Sequence, residues 1–403
     1  MNDKRIYIDY NATTPLKDEV KEVLKQGFDL YGNASSLHAS GREARVRIEE
    51  ARTSVADLIG ARPQEIIFTS GGSESNNTVF YTMEKLAQDN AGGAGRNHII
   101  TTAVEHPCVL NSATYLGNKG IPVTILPVDK YGKVKMDVLE KTLFESSSKN
   151  KAALQGDPLF VSIMTANNET GTIEDIKTIN SLVKKAGAFM HTDAVQAAGK
   201  IPLNVKELDI DYLTLSSHKI YGPKGIGALY VRKGSPLYPL IHGGHHEEGL
   251  RAGTYNNLGI IGFGKAAELA LRDLSEYQSK MSHLRLRLKN GLFAAIPDIT
   301  INGHPDDVLP NTLNISFPGA EGEAILLSMD LNGIEASTGS ACASGSLDPS
   351  HVLLATGAGP ELAHGSIRFS LGWGIEESDI DYIIEILPPI IFRLRSMSTI
   401  KKN

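Results

Sequence analysis

The sequence predicts an α/β protein built on a largely parallel sheet, followed by a smaller α+β unit. Three observations predict it: strand-length apolar runs alternate with segments of helical period, the texture changes near Gly259, and short strands then alternate with helices toward the C-terminus. In order, the strands of the first unit are expected at Glu65–Thr69, His98–Thr102, Val123–Leu126, Leu159–Thr165, Ala188–Thr192, Tyr212–Ser216 and Ile226–Val231. Between them lie amphipathic stretches. In Ile173–Ala186, Ile173, Ile176, Ile179, Leu182 and Val183 repeat at helical spacing and Gly187 supplies the stop. The apolar stripe from Ile260 to about Phe293 reads as a long helix linking two units. Beyond it come strands at Asn311–Phe317 and Ile367–Leu371 and helices at Gly322–Asn332 and Glu376–Met397, the last expected to kink at Pro388 and Pro389. This order assigns residues 12–258 to the larger domain and 1–11 with 259–403 to the smaller.

Composition excludes several classes of function. A chain of 403 residues with 41% hydrophobic residues holds one or two buried cores. Lys+Arg 40 against Asp+Glu 46 gives a net charge of -6, which offers no broad basic surface to a nucleic acid. The only cysteines, Cys108 and Cys342, form no CxxC or Cys/His ligand spacing, so neither a disulfide framework nor a structural zinc is expected. No apolar run is long enough to span a membrane, and the start MNDKRIYIDYNATTP has no signal-like core. A cytoplasmic protein is expected.

In an open parallel sheet, ligands bind beyond the carboxyl ends of the strands. Chemistry-bearing residues follow strands five times: Ser70-Gly71-Gly72-Ser73, Glu105-His106, Asn167-Asn168-Glu169, Asp193 with Gln196, and Ser217-His218-Lys219. Each has two readings when taken alone. Gly72-Ser73 is a helix cap or a phosphate turn. Asp193 is a cap or the partner of a protonated ring nitrogen. Lys219 is a solvated charge or an amine able to form a Schiff base. Together they match what pyridoxal phosphate requires: donors for its phosphate, a carboxylate for its ring nitrogen and an amine for its aldehyde. Neither a GxGxxG nor a GxxxxGK[ST] competes.

The segments SSHKIYGPKGIGALYV, HTDAVQAAGKIPL, MTANNETGT, VEHPCVL, GGHHEEGLRAGTYN and STGSACASGSLDPSHV closely resemble cysteine desulfurases of the NifS/IscS type, in the class V aminotransferase branch of fold-type I pyridoxal phosphate enzymes. The resemblance runs from IDYNATTP through SIRFSLG, nearly the whole chain. It implies conversion of L-cysteine to L-alanine by a homodimer, with sulfur passed to an iron-sulfur scaffold or another acceptor protein. Carried over residue by residue, it implies that Lys219 binds the cofactor and moves the substrate proton, that Asp193 holds the ring nitrogen, and that His106 stacks on the ring. Asn168 and Gln196 then lie near the phenolic oxygen, with Asn168 also facing substrate. Gly72, Ser73, Ser216 and His218 hold the phosphate together with Thr254 of a second subunit. Arg368 clamps the substrate carboxylate, with Asn33 at the same end of the pocket. Cys342 takes the sulfur as a persulfide. The run Thr338–Ser346 around it consists of small residues, a composition suited to a moving loop.

Cys108 reads as a packing residue near the ring, and His242, His245 and His246 as part of a glycine-rich loop rather than a metal site. Relatives usually carry other residues at Ala34, Ser217, Glu248 and Trp373, and the last two are expected to alter charge near the substrate entrance or a partner surface. A selenocysteine lyase or C–S lyase, or a non-catalytic partner in sulfur assembly, are the alternatives.

Overall fold

The computed structural model describes residues 5–89, 96–144, 157–339 and 348–397. Its strands are β1 (Ile6–Tyr7), β2 (Ile66–Thr69), β3 (His98–Thr102), β4 (Val123–Leu126), β5 (Pro158–Ser162), β6 (Phe189–Asp193), β7 (Tyr212–Ser216), β8 (Gly227–Val231), β9 (Thr300–Asn302), β10 (Thr312–Ser316), β11 (Ile334–Glu335) and β12 (Ser366–Ser370). Among the described residues seven of them form one sheet in the order β2-β8-β7-β6-β5-β3-β4. β8 runs against both its neighbours and the remaining pairs are parallel. Two antiparallel steps restore the direction, so β2 points the same way as β7 and all five chemistry-bearing strand ends lie on one edge.

β8 also separates the Gly72 turn from the other four strand ends, and a close approach closes the gap. A Cβ at Gly227 would stand 2.7 Å from Gly71 Cα and 2.7 Å from the Leu215 carbonyl oxygen. Only glycine lets the turn after β2 cross the start of β8 and reach the end of β7. The helix Gly72–Asp89 begins there, with its N-terminus at the sheet edge.

The smaller unit contains the antiparallel sheet β12-β10-β9 and the parallel pair of β1 with β11. Its core joins Ile6, Ile8 and Tyr10 to Met281, Leu288, Phe317, Phe369 and Ile383. One boundary differs from the sequence expectation. The stretch 260–293 is two helices, Asn257–Arg272 and Leu274–Ala295, rather than one. The first buries Ile260, Phe263, Ala267 and Leu269 in the core of the large sheet, so the two cores divide at Asp273 and not at residue 259. Gly264 explains the tight fit of that helix, since a Cβ there would stand 2.5 Å from Ala51 Cα. The final helix, Glu377–Met397, continues through Pro388 and Pro389 as one element.

Candidate active site

The shared strand edge opens into a cavity of about 320 Å³ at the junction of the two units. Gly72, Ser73, His106, Asn168, Asp193, Gln196, Ser216, His218, Lys219 and Arg368 all line it. Two expected residues do not. Asn33 is exposed and its Oδ1 caps the Ser35 amide at 2.9 Å, while Thr254 is exposed outside the cavity of its own chain. Cys342 lies outside the described residues, but Gly339, three positions earlier, is part of the cavity wall.

Asp193 closes β6 and is 7% exposed. One carboxylate oxygen accepts from Asn76 Nδ2 at 2.7 Å and the other from the Val195 amide at 3.0 Å. Both donors are neutral, so a buried negative charge faces the cavity without an ion-pair partner among the described residues. Such a site favours a cationic ligand atom.

β6 and β7 are neighbours in register, which sets Lys219, in the turn Ser217–Lys219 after β7, beside Asp193. Its Nζ donates to the Asn11 and Ala12 carbonyl oxygens at 2.6 and 2.7 Å. Two carbonyls therefore hold the amine in place from the N-terminal segment. His218 Nδ1 lies 3.2 Å from Thr13 Oγ1, and burial with the nearby Lys219 and Lys224 charges lowers its pKa to about 4. It is a neutral donor or acceptor at physiological pH.

His106 caps the helix Pro107–Asn118: its Nδ1 accepts from the Cys108 amide at 3.2 Å. That bond puts the proton of the neutral ring on Nε2. Burial lowers the His106 pKa first of all, with opposing contributions from Asp193, which raises it, and Lys219 and His351, which lower it. The Cys108 thiol sits 3.0 Å from Nδ1 and accepts from Asn76 Nδ2 at 3.1 Å. Burial pushes its pKa up to about 12, so it is a neutral thiol in the cavity wall and a poor nucleophile.

Arg368, 2% exposed on β12, is already partly engaged. Nη2 donates to Asp9 at 2.6 Å, and Nη1 to the Asn168 and Gly339 carbonyl oxygens at 3.0 and 3.3 Å. Its Nε is buried without a partner among the described residues. Of five N–H donors, those on Nε and one on Nη2 remain, enough for a carboxylate fork. Asp9 is the partner that sequence reasoning missed.

Two further groups, Lys200 and His351, were missed, and Glu169 was marked only as a strand-end residue without a role. Lys200 is 3% exposed, and its Nζ donates to Gln196 Oε1 at 2.7 Å and Asn11 Oδ1 at 2.9 Å. Burial, followed by the Lys219 and Arg368 charges, lowers its pKa well below that of an ordinary lysine. Because Lys200 occupies the amide oxygen, Gln196 must present Nε2 as its donor, and that nitrogen bonds the Asn11 carbonyl at 2.9 Å. Glu169 accepts from Ser350, and a Cβ on Gly339 would collide with its carboxylate, so both described ends of the Cys342 segment rest on one buried acid whose pKa burial raises. His351 lines the cavity and donates from Nε2 to the Glu105 carbonyl at 3.0 Å. Signals were present: Asn11 and Lys200 stand inside the quoted motifs IDYNATTP and HTDAVQAAGKIPL, though a lysine in a sequence normally reads as surface. Of the two places expected for Trp373, the substrate entrance or a partner surface, the first is not where it stands. It packs edge-on against Tyr277 at 5.5 Å, under the Lys17 ammonium, away from the cavity.

Residues 6–383 match the family described as aminotransferase class-V. The chain belongs to that family. It is 48% identical to the cysteine desulfurase IscS of Dictyoglomus turgidum over 99% of its own length and 98% of the relative's. It is 49% identical to cysteine desulfurase 1 of Trichormus variabilis over 99% of its length and 96% of that protein. Among solved structures it resembles a NifS-like protein at 39% identity and a TM-score of 0.86, covering 96% of this chain and 100% of that one. It also resembles SspA in complex with cysteine, at 34% identity and a TM-score of 0.76, covering 91% and 98% of the two chains.

Proposed function

We propose that this chain is a pyridoxal-phosphate-dependent cysteine desulfurase that moves the sulfur of L-cysteine onto Cys342, releases L-alanine and passes the sulfur to an acceptor protein for iron-sulfur cluster assembly. The observation that carries the reading is that one cavity is lined both by the Lys219 amine and by an Asp193 carboxylate whose partners among the described residues are neutral. The residues fit the cofactor. Gly72 leaves room at the helix start, because a Cβ there would meet Val195 at 3.0 Å, and Ser73, Ser216 and His218 stand near it as phosphate donors. When bound, the cofactor supplies an electron sink for charge developing at the substrate's α-carbon.

The chain's own groups then divide the work. Lys219 Nζ, steered by the Asn11 and Ala12 carbonyls, takes the α-proton and returns a proton to the substrate skeleton. His106, with its proton on Nε2, is placed to assist that transfer. The free donors of Arg368 orient the substrate carboxylate. The Cys342 thiolate attacks the substrate sulfur: a new S–S bond forms, the C–S bond breaks, and its electron pair stays on carbon and is protonated to give alanine. Cysteine and a thiol become alanine and a persulfide, with no outside oxidant. Chain connectivity supports the role of Cys342, since three residues from Gly339 reach at most about 11 Å.

Two names among the relatives support the substrate class, the cysteine desulfurases and the cysteine-bound SspA. Dimerisation, with Thr254 completing the partner's site, and a cytoplasmic location belong to the same proposal; no described helix is long and apolar enough to cross a membrane. The test is Cys342→Ala. Alanine and sulfide formation from cysteine should vanish while visible absorbance from bound cofactor persists. Undiminished sulfide release would favour a lyase that needs no protein thiol, and absence of any cofactor absorbance in the unmodified protein would favour a non-catalytic assembly partner.

A further inference from the structure

The helix Leu274–Ala295 distributes its basic side chains unevenly. On one side Lys280 meets Glu376, just before the C-terminal helix, and His283 and Arg287 meet Glu377 and Asp381 within it. Arg285 and Lys289, one turn apart, line instead a cavity of about 160 Å³ between the two units. Among the described residues neither has a hydrogen bond or an ion pair, and Arg285 Nε is fully buried without a partner. Burial lowers the Arg285 pKa with no acidic group offsetting it.

The rest of the wall adds donors. His304 Nδ1 accepts from the Asp306 and Asp307 amides at 3.2 and 2.9 Å, so the neutral ring carries its proton on Nε2. Tyr131 packs edge-on to that ring at 5.2 Å and brings a hydroxyl, and Thr170 closes the larger unit's side. Among the described residues no carboxylate lines the cavity; Asp307 on the adjoining loop is held by Lys133 at 2.6 Å and stands 3.9 Å from His304 Nδ1, so it answers neither Arg285 nor Lys289. Two neighbouring cations and neutral donors, with no acid to answer them, leave a site whose unmet need is negative charge.

We propose that this cavity is a second binding site, for a small doubly charged oxyanion of the phosphate class, held by Arg285 and Lys289. Two cations match a dianion in charge, and the planar guanidinium suits its oxygens. The site does not depend on the desulfurase reading. It stands behind the turn that lines the catalytic cavity: Thr170 follows Asn168 and Glu169, and Asn314 Nδ2, from the same wall, donates to the Glu169 carbonyl at 3.2 Å. An anion there ties the smaller unit's helix to that turn, so binding stabilises the junction between the units.

The test is calorimetric titration of the cofactor-loaded full chain with inorganic phosphate, in which the Gly72–Ser73 turn is already filled, with acetate as the singly charged control. Saturable binding of one phosphate per chain is expected, with a rise in melting temperature. Arg285→Gln and Lys289→Gln should each weaken affinity at least roughly tenfold, the equivalent of one charge-assisted hydrogen bond. Absence of saturable binding, or equal binding in the double variant, overturns the site. A second measurement uses the unmodified sequence: phosphate should slow acetylation of Lys289, read by mass spectrometry, and acetate should not. An unchanged rate with phosphate also overturns it. In chain stripped of cofactor, phosphate binding that survives the double variant reports the catalytic turn instead, so the two sites are told apart.

Discussion

Arg52 and Lys200 are 6% and 3% exposed, both within the larger unit, yet their surroundings are opposite in charge. Arg52 gives both Nη atoms to the Glu247 carboxylate at 2.7 Å and a further bond to the Ile66 carbonyl, tying the helix Ala39–Leu58 to the turn His246–Gly249 and to β2. Glu247 also accepts from the Phe68 amide at 2.9 Å. Among the described residues Lys200 has only the amide oxygens of Gln196 and Asn11, and its charged neighbours are Lys219 and Arg368. Where a buried cation is structural, the fold supplies its counter-charge. Lys200, behind the cavity, has no counter-charge among the described residues and its amine orients the Gln196 and Asn11 amides, while Arg368, which lines the cavity, is paired with Asp9 and keeps other donors free.

The largest effect separating the two regions is expected from Glu247→Gln. It leaves a buried guanidinium without its carboxylate and should cost about 3–5 kcal/mol in urea unfolding, with turnover per folded molecule retained. A loss under 1 kcal/mol would remove the contrast.

Lys200→Met should act on the pH dependence of stability. A base with a depressed folded pKa binds fewer protons folded than unfolded. Its cost is therefore full below the folded pKa and relieved as pH rises toward the ordinary lysine value. Wild-type stability should rise with pH on this account, by at most about 1.4 kcal/mol per unit, and the variant should lose that slope up to roughly pH 10. Parallel curves for the two proteins would show that Lys200 carries no such strain. Cofactor absorbance should also shift in the variant, because Gln196 is then free to turn its amide.

A smaller effect of opposite sign is expected at Glu105. Burial raises its pKa to about 8, with Oε1 bonded to Thr102 and the Met164 amide and Oε2 unpartnered among the described residues. An acid with a raised folded pKa binds more protons folded than unfolded, so its contribution favours the native state below the ordinary carboxylate range and fades as pH climbs through 8. Glu105→Gln should flatten this decline in thermal melts between about pH 5 and 8. An unaltered decline would assign it to other buried acids, Glu174 first, whose pKa burial raises to about 7.

Much of the site was legible because strand ends are local features. An apolar run followed by Asp193, or by Ser217-His218-Lys219, marks its own position, and parallel strands gather such ends on one edge. Asn76 was not legible, since an asparagine inside a helix carries no sign that it faces a carboxylate 117 positions away. Asp9 against Arg368 spans 359 positions and was equally silent. The helix Asn257–Arg272 was assigned to the wrong unit because its apolar stripe says that it packs, and not against which core.

From sequence alone came the alternation of strands and helices, the expectation that the chemical groups at parallel strand ends share one edge, and Lys219 and Asp193 as the candidate amine and carboxylate. These follow from periodicity and residue chemistry within a few positions. The tertiary structure decided which charges are compensated: Arg52 by Glu247, Arg368 by Asp9, and Lys200 by none among the described residues. Compensation depends on distances across the fold and on exclusion of water, and neither is a property of neighbouring residues.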